Sequence, residues 1–282
     1  MRSLALLLVL VVACRTGRNY SDPAGPRYGG SAPAVQAPST GETLKVVSFN
    51  IEYARETKRA IRIMQSVGEL RGADIVLLQE MTAPTTKMVA DALGMHYVYY
   101  PAIYNRLVRH DFGNAVLSRW PIVEDAKLIL PSKSRYAKTQ RIATAATVDV
   151  AGRRVRVYST HFGTPLDLGW EGRVAQLRFI IDDAARYSQV ILGGDMNSSD
   201  IGRVAREAGY LWPTDTIRKS NVAGRLDHFF LRGFAPLDSA GAGTHYVPPA
   251  ISDHSPIWIR VRGLSPIRRP SLSQPARDPV GN

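Results

Sequence analysis

The chain has 282 residues, 45% hydrophobic and 21% charged, an ordinary globular profile long enough for one large domain or two small ones. Its single cysteine, Cys14, makes no internal disulfide, so the fold must stand on its core, hydrogen bonds and any bound metal. Lys+Arg 36 against Asp+Glu 24 gives a net charge of +12 without any block of lysine or arginine. Such a balance suits a polyanionic partner: nucleic acid, an anionic membrane surface or phosphate esters.

In chain order, "MRSLALLLVLVVACRTG" places Arg2 before an apolar run, Leu4 to Val12. The run is too short to span a bilayer as a helix but suits the core of a signal peptide. It ends in Val11-Val12-Ala13-Cys14 and resembles a bacterial lipoprotein signal, in which a small residue precedes a lipidated cysteine. The expectation is a signal over 1–14 with lipidation at Cys14. The protein is then an exported, membrane-anchored lipoprotein of a bacterial cell envelope; a secreted protein is the alternative. Gly, Pro, Ser and Ala dominate the following stretch without an apolar period, which predicts a flexible linker over 15–43. A similar flexible tail is expected over 263–282, leaving a folded body at 44–262.

Within the body, "LKVVSFN" reads as a strand and Lys58 to Leu70 as a helix. "DIVLLQE" reads as a buried strand, and Thr85 to Leu93 as a shorter helix. "HYVYY", "GNAVLSR", "QRIATAATVDV" and "RRVRVYSTHF" are strand-like runs with no long helix between them. Trp170 to Arg186 is helical, "QVILGGDMN" is a strand running into a turn, and "GRLDHFFLRG" and "SPIWIRV" close the body as strands. Helices between some strands and direct strand-to-strand runs elsewhere predict mixed α/β sheets.

Several apolar runs stop at polar residues that a structural strand does not require. "VVSFN" ends at Asn50, "IVLLQE" at Glu80, "VYSTH" at His161 and "VILGGDMN" at Asp195 and Asn197. Asp227 opens "LDHFFL", and Asp253-His254 precede "SPIWI". One such ending is commonly a helix cap or turn former, but loops at the strand ends of α/β sheets are where sites collect. Asn, Glu and Asp offer hard oxygen ligands suited to Mg²⁺, with Mn²⁺ or Ca²⁺ as alternatives. Zinc is disfavoured because no two histidines show short ligand spacing.

The series "SFNI", "LLQE", "GNAVLSRWPI", "STHF", "GGDMN", "RLDHFF" and "SDHSPI" resembles the endonuclease/exonuclease/phosphatase superfamily, over roughly Leu44 to Arg260. That resemblance implies a four-layer α/β sandwich, two mixed β-sheets packed face to face with helices outside. It implies Asn50, Glu80 and Asp253 as ligands of a divalent metal. It implies that His254 contacts the scissile phosphate or takes a proton, oriented by Asp227. Asp195 would position the attacking water, Asn197 would hold a phosphoryl oxygen, and His161 would contact the phosphate from the other side. In the deoxyribonuclease-like branch an acid just before the "GNAVLSR" strand supports that histidine, which points to Asp111. Arg141, in "QRIA", stands where relatives often carry a phosphate-binding arginine.

Departures from individual branches narrow the substrate. "NIEYARE" differs from the abasic-site endonuclease pattern after the first asparagine, and no lysine- and arginine-rich pocket for phosphorylated rings is evident. "HYVYYPAIYNRLVRHDF" and "AGTHYVPPA" are aromatic, as in the docking hairpins of secreted sphingomyelinases, but core packing explains them equally. Export and basic charge favour an extracellular nucleic acid bound through its backbone without sequence preference. The expected enzyme is therefore a monomeric, metal-dependent nuclease. A sphingomyelinase-like phospholipid phosphodiesterase or a phosphomonoesterase is the alternative. An inactive surface-tethered binding module is the distant one, disfavoured because every expected catalytic position holds a competent residue.

Overall fold

The computed structural model describes residues 17–33, 40–106, 108–238 and 241–264. The signal and Cys14 lie outside them, as does most of the expected C-terminal tail. The elements in order are β1 (Gly17–Asn19), β2 (Tyr28–Ser31), β3 (Thr43–Asn50), α1 (Thr57–Ser66), β4 (Ile75–Met81), α2 (Ala83–Leu93), β5 (His96–Asn105) and β6 (His110–Ser118). There follow β7 (Ile122–Lys133), β8 (Gln140–Val150), β9 (Arg153–His161), α3 (Trp170–Ala184), β10 (Val190–Asp195), α4 (Gly202–Glu207), β11 (Asp227–Arg232), β12 (Phe234–Pro236), β13 (Ala242–Thr244) and β14 (Ile257–Gly263).

One sheet runs β1-β5-β6-β4-β3-β14-β12, with β2 also on β5 and β13 also on β14; the other runs β11-β10-β9-β8-β7. Among the described residues only β3–β4 and β9–β10 are parallel pairs, and each is joined across a helix, because a parallel return needs a crossover. β3 is apolar on both faces. Leu44 and Val46 enter the layer between the sheets, while Val47 and Phe49 face α1 and α2. The outer face of the second sheet is covered by α3 and α4, with Tyr158, Leu177, Ile180 and Phe230 fully buried there. These are the layers of the expected sandwich: helices, sheet, sheet, helices. No helix among the described residues is long and apolar enough to cross a membrane.

The helix bounds shift relative to their sequence patterns. α1 stops at Ser66, where Val67 adopts an extended backbone. α2 starts earlier than expected, because Thr82 forms a reciprocal capping box with Thr85 and Pro84 fits the first turn. β7 has no counterpart in the sequence reading; its charged, bulged pattern hides the alternation.

The expected linker is corrected over residues 17–33. β1 and β2 pair antiparallel with β5, Gly17 opposite Asn105 and Ser31 opposite His96. Side chains then tie this arm to the second sheet. Arg27 makes two hydrogen bonds to Asp125, at 2.7 and 2.6 Å, and Lys127 Nζ donates to the carbonyls of Asp22 and Gly25. Backbone pairing asks for no apolar period, so Gly- and Pro-rich composition concealed the arm.

Candidate active site

The parallel strands β3, β4, β9 and β10 all finish at one end of the sandwich, and antiparallel β6, β8, β11 and β14 begin there. This register brings the expected polar endings to a common rim. Local backbone then aims them. Glu80 sits at φ +61° beside a break in the β4–β6 register, Tyr53 at +54° and Asn197 at +48°. A left-handed backbone is costly for such residues and concentrates at functional sites. Gly194 is required for a different reason: at its φ of +139°, a Cβ would lie 2.0 Å from the Thr160 carbonyl oxygen.

Asp195 is the centre of the buried cluster. Its Oδ1 accepts the Asn197 N–H at 2.8 Å, and Asn50 Nδ2 donates to Oδ2 at 3.2 Å. His161 Nε2 and His254 Nε2 stand 3.4 and 3.5 Å from that same Oδ2. Burial pushes the Asp195 carboxyl up to about 7, against the lowering effect of His254. Burial pulls His254 down, yet Asp227 and Asp195 outweigh it and hold the imidazole up at about 10. Its Nδ1 lies 2.7 Å from Asp227 Oδ2. His161 lacks a hydrogen-bonded carboxylate: burial, with Arg141 and His254 nearby, holds it well below the ordinary imidazole range, and its buried Nδ1 makes no hydrogen bond, with Glu80 Oε1 3.8 Å away.

On the first sheet, Asn50 Nδ2 donates to Glu80 Oε1 at 3.1 Å, and the Tyr53 N–H donates to Oε2 at 2.9 Å. Burial raises the Glu80 carboxyl, and these donors together with Arg141 offset it only in part. Arg141 sits over the Phe112 ring at 5.5 Å and within electrostatic reach of Glu80 and Asp195. The Glu80 side therefore has oxygen donors and undercompensated negative charge, which fits a hard divalent cation. Asp195, Asp227 and His254 also bring potential ligand atoms within 4.8 Å of one another. There, however, the Asp227–His254 contact already pairs the charges.

One expected residue falls elsewhere. Asp111 does not support His161; its Oδ1 accepts the Tyr20 hydroxyl at 2.8 Å. Neighbours on a strand face opposite ways, so Phe112 takes the inward position, its ring 5.5 Å from that of His161. Asp253 is exposed at the mouth of the cleft, where Asn221 Nδ2 donates to its carbonyl at 3.0 Å. Asn197 Nδ2 donates to the Phe162 carbonyl at 3.0 Å, with the residue buried beside Asp195. Ser252 was missed from the sequence although it organises the opening of β14. Its Oγ donates to the Asn50 carbonyl at 2.7 Å and accepts the His254 N–H at 3.1 Å. A serine two residues before a histidine is a recognisable local turn signal. Ser220, whose Oγ accepts the Asp227 N–H at 3.2 Å, carries no comparable signal.

A family sequence model described as "Endonuclease/Exonuclease/phosphatase family" matches residues 47–254. The chain belongs to the endonuclease/exonuclease/phosphatase family. It is accordingly a phosphoric ester hydrolase of a divalent-metal-dependent family. The fold is similar to that of an endonuclease/exonuclease/phosphatase from Beutenbergia cavernae, with TM-score 0.63 and 20% identity over 79% of this chain and 72% of that one. A family protein from Bacteroides thetaiotaomicron aligns with TM-score 0.62 and 18% identity over 78% and 97% of the two chains. D. rerio TDP2 complexed with a single-strand DNA product aligns with TM-score 0.62 and 16% identity over 78% and 99%. A search of curated proteins returns no significant match.

Proposed function

We propose that this family member is an extracytoplasmic phosphodiesterase that cuts nucleic acid with little sequence preference. The observation that carries the hydrolytic chemistry is one buried carboxylate, Asp195, set between a neutral and a cationic imidazole. Ionised Asp195 would orient a water and accept its proton at Oδ2. Cationic His254, steadied by Asp227, would present Nε2–H to a phosphoryl or leaving oxygen. Neutral His161 and the Arg141 guanidinium would bear on the phosphate from the opposite side. A divalent cation, Mg²⁺ or Mn²⁺, held by Glu80, Asn50 and Asp253, would supply charge neutralisation at the nonbridging oxygens.

The +12 charge and the nucleic-acid ligand of D. rerio TDP2 support a nucleic-acid substrate. Export and anchoring through Cys14 rest on the signal-like N-terminus. A second reading, a phospholipid phosphodiesterase, draws support from the arm. Gly17 lies at the catalytic rim, three residues after Cys14, a span of at most roughly 10 Å. Anchoring there would turn the cleft toward the bilayer. Plasmid DNA, RNA, sphingomyelin vesicles and phosphorylated inositols assayed side by side, with Mg²⁺ and with EDTA, test the proposal. Metal-dependent cutting of DNA or RNA is expected. Intact nucleic acid alongside hydrolysed lipid would replace it with the second reading, and radiolabelled fatty-acid uptake lost in Cys14→Ser would establish the anchor.

A further inference from the structure

Two cationic cavities open on the catalytic rim, one at each side of the Asp195 cluster. The first is lined by Arg18, Asn19, Arg106, Lys133 and Lys138. It lies where β1 and the end of β5 meet the turn between β7 and β8. The arm builds one wall. Asn19 Nδ2 donates to the Lys138 carbonyl at 2.9 Å, and the Gln140 N–H donates to Asn19 Oδ1 at 2.8 Å. Gln140 immediately precedes Arg141, so the cavity adjoins the catalytic cluster. Arg18 is steadied by the Tyr20 ring, 5.3 Å from its guanidinium carbon. The second cavity is lined by Ser199, Arg218, Lys219 and Arg225, between the end of β10 and the start of β11. It adjoins Asp227. Arg18, Arg106, Lys133, Lys138, Arg218 and Lys219 are exposed, and no carboxylate lines either cavity.

We propose that these cavities hold phosphates on either side of the scissile bond in one nucleic-acid strand, so that the N-terminal arm is part of the substrate-binding surface. This rests on the nucleic-acid reading above and narrows it to a polymer. The cavities sit near opposite edges of the sheet β11-β10-β9-β8-β7. Its four strand spacings amount to roughly 19 Å. At about 3.4 Å of axial rise per nucleotide in a stacked, helical strand, that distance takes about five or six phosphates. A compact headgroup or a single phosphomonoester has nothing to place in the outer cavities, whereas a strand fills both and the centre together. Cations without a facing carboxylate read a backbone by charge and leave the bases unread.

The test is binding of fluorescein-labelled oligodeoxynucleotides of two, six and twelve nucleotides in EDTA, followed by anisotropy across a salt series. The variants are Arg18→Gln/Lys133→Gln and Arg218→Gln/Arg225→Gln. Arg71→Gln/Arg154→Gln removes the same charge at the opposite end of the sandwich. Affinity should rise from the dinucleotide to the hexamer and level off. Each cavity pair should lower the magnitude of the salt slope by about 1.4 and weaken twelve-mer binding roughly twentyfold at 0.1 M salt. The opposite-end pair should do neither. Twelve-mer cleavage should fall relative to each variant's own turnover of bis-p-nitrophenyl phosphate, and thermal melting confirms that each variant is folded. If the twelve-mer is cut but all three pairs behave alike, the cavity assignment fails and the nuclease reading stands. If bis-p-nitrophenyl phosphate is cut while no oligonucleotide is bound or cut, both fail. If the first pair loses binding to phosphatidylglycerol vesicles and keeps the twelve-mer, the arm faces a membrane and the proposal is overturned.

Discussion

His161 and His254 approach the same oxygen of Asp195 at 3.4 and 3.5 Å, yet one is held neutral and the other charged. The difference lies at the far nitrogen. His254 Nδ1 meets the Asp227 carboxylate at 2.7 Å; His161 Nδ1 makes no hydrogen bond, and the nearest carboxylate oxygen behind it, Glu80 Oε1, is 3.8 Å away. Distance to the reacting centre thus does not set an imidazole's role; the group behind it does. The same contrast divides the whole cleft. On the Asp195–His254–Asp227 side the charged imidazole already stands between two carboxylates, although Asp227 Oδ1 is buried without a hydrogen-bond partner. The Asn50–Glu80 side retains a desolvated carboxylate that a cation would satisfy.

The largest expected effect comes from removing the shared partner. Asp195→Asn should cut turnover of bis-p-nitrophenyl phosphate by roughly 10²–10⁴-fold, the usual scale for a general base, and His254→Ala should lose a similar amount. Near-normal turnover in Asp195→Asn would dissolve the comparison. Asp227→Asn leaves the imidazole in place and should cost about 10- to 100-fold, as loss of an orienting partner does. Adding it to His254→Ala should make that variant little worse, because the two act as one unit. Independent, multiplicative losses would separate the pair. Melting temperatures of the same preparations distinguish lost chemistry from lost folding.

A third histidine sharpens the rule without touching the cleft. His228 is buried in the outer layer, with its Nδ1 accepting from Trp212 Nε1 at 3.1 Å and its Nε2 facing the Ser198 carbonyl at 2.8 Å. Burial pushes it down to about 4. A depressed imidazole contributes stability that is fully present above the unfolded value of about 6.5 and is lost as pH falls toward about 4. The loss should reach about 3 kcal/mol near pH 4. Urea unfolding from pH 7 to 4 should show a shallower acid slope in His228→Gln than in the wild type. Equal slopes would remove His228 as a source of acid sensitivity.

The outcome for the sequence reading divides along the same physical line. Strand ends in the body were legible because a buried strand has no reason of its own to stop at Asn50, Glu80, His161 or Asp195. Asp111 was placed by its position along the chain, and strand alternation turned it to the other face. The arm was illegible for a different reason. Its stability comes from backbone pairing to β5 and from single polar contacts such as Tyr20–Asp111, which leave no period in the residues. Tyr20→Phe should therefore have the smallest effect of these substitutions, about 1 kcal/mol of stability by urea unfolding. An unchanged midpoint would mean that this contact does not fasten the arm.

The central claim, that the cation belongs beside Glu80 and not among Asp195, Asp227 and His254, is tested most directly by thermal melting against Mg²⁺ and Mn²⁺ concentration. The wild type, Glu80→Gln and Asp227→Asn are compared without substrate. A cation at free concentration c that binds only the folded state stabilises it by RT ln(1 + c/Kd), so the melting temperature keeps rising with the logarithm of its concentration above Kd. The wild type and Asp227→Asn should show the same metal-dependent rise, and Glu80→Gln should need far higher concentrations. If Glu80→Gln responds like the wild type while Asp227→Asn loses the response, the ion sits among Asp195, Asp227 and His254, and the two sides have been assigned the wrong way round.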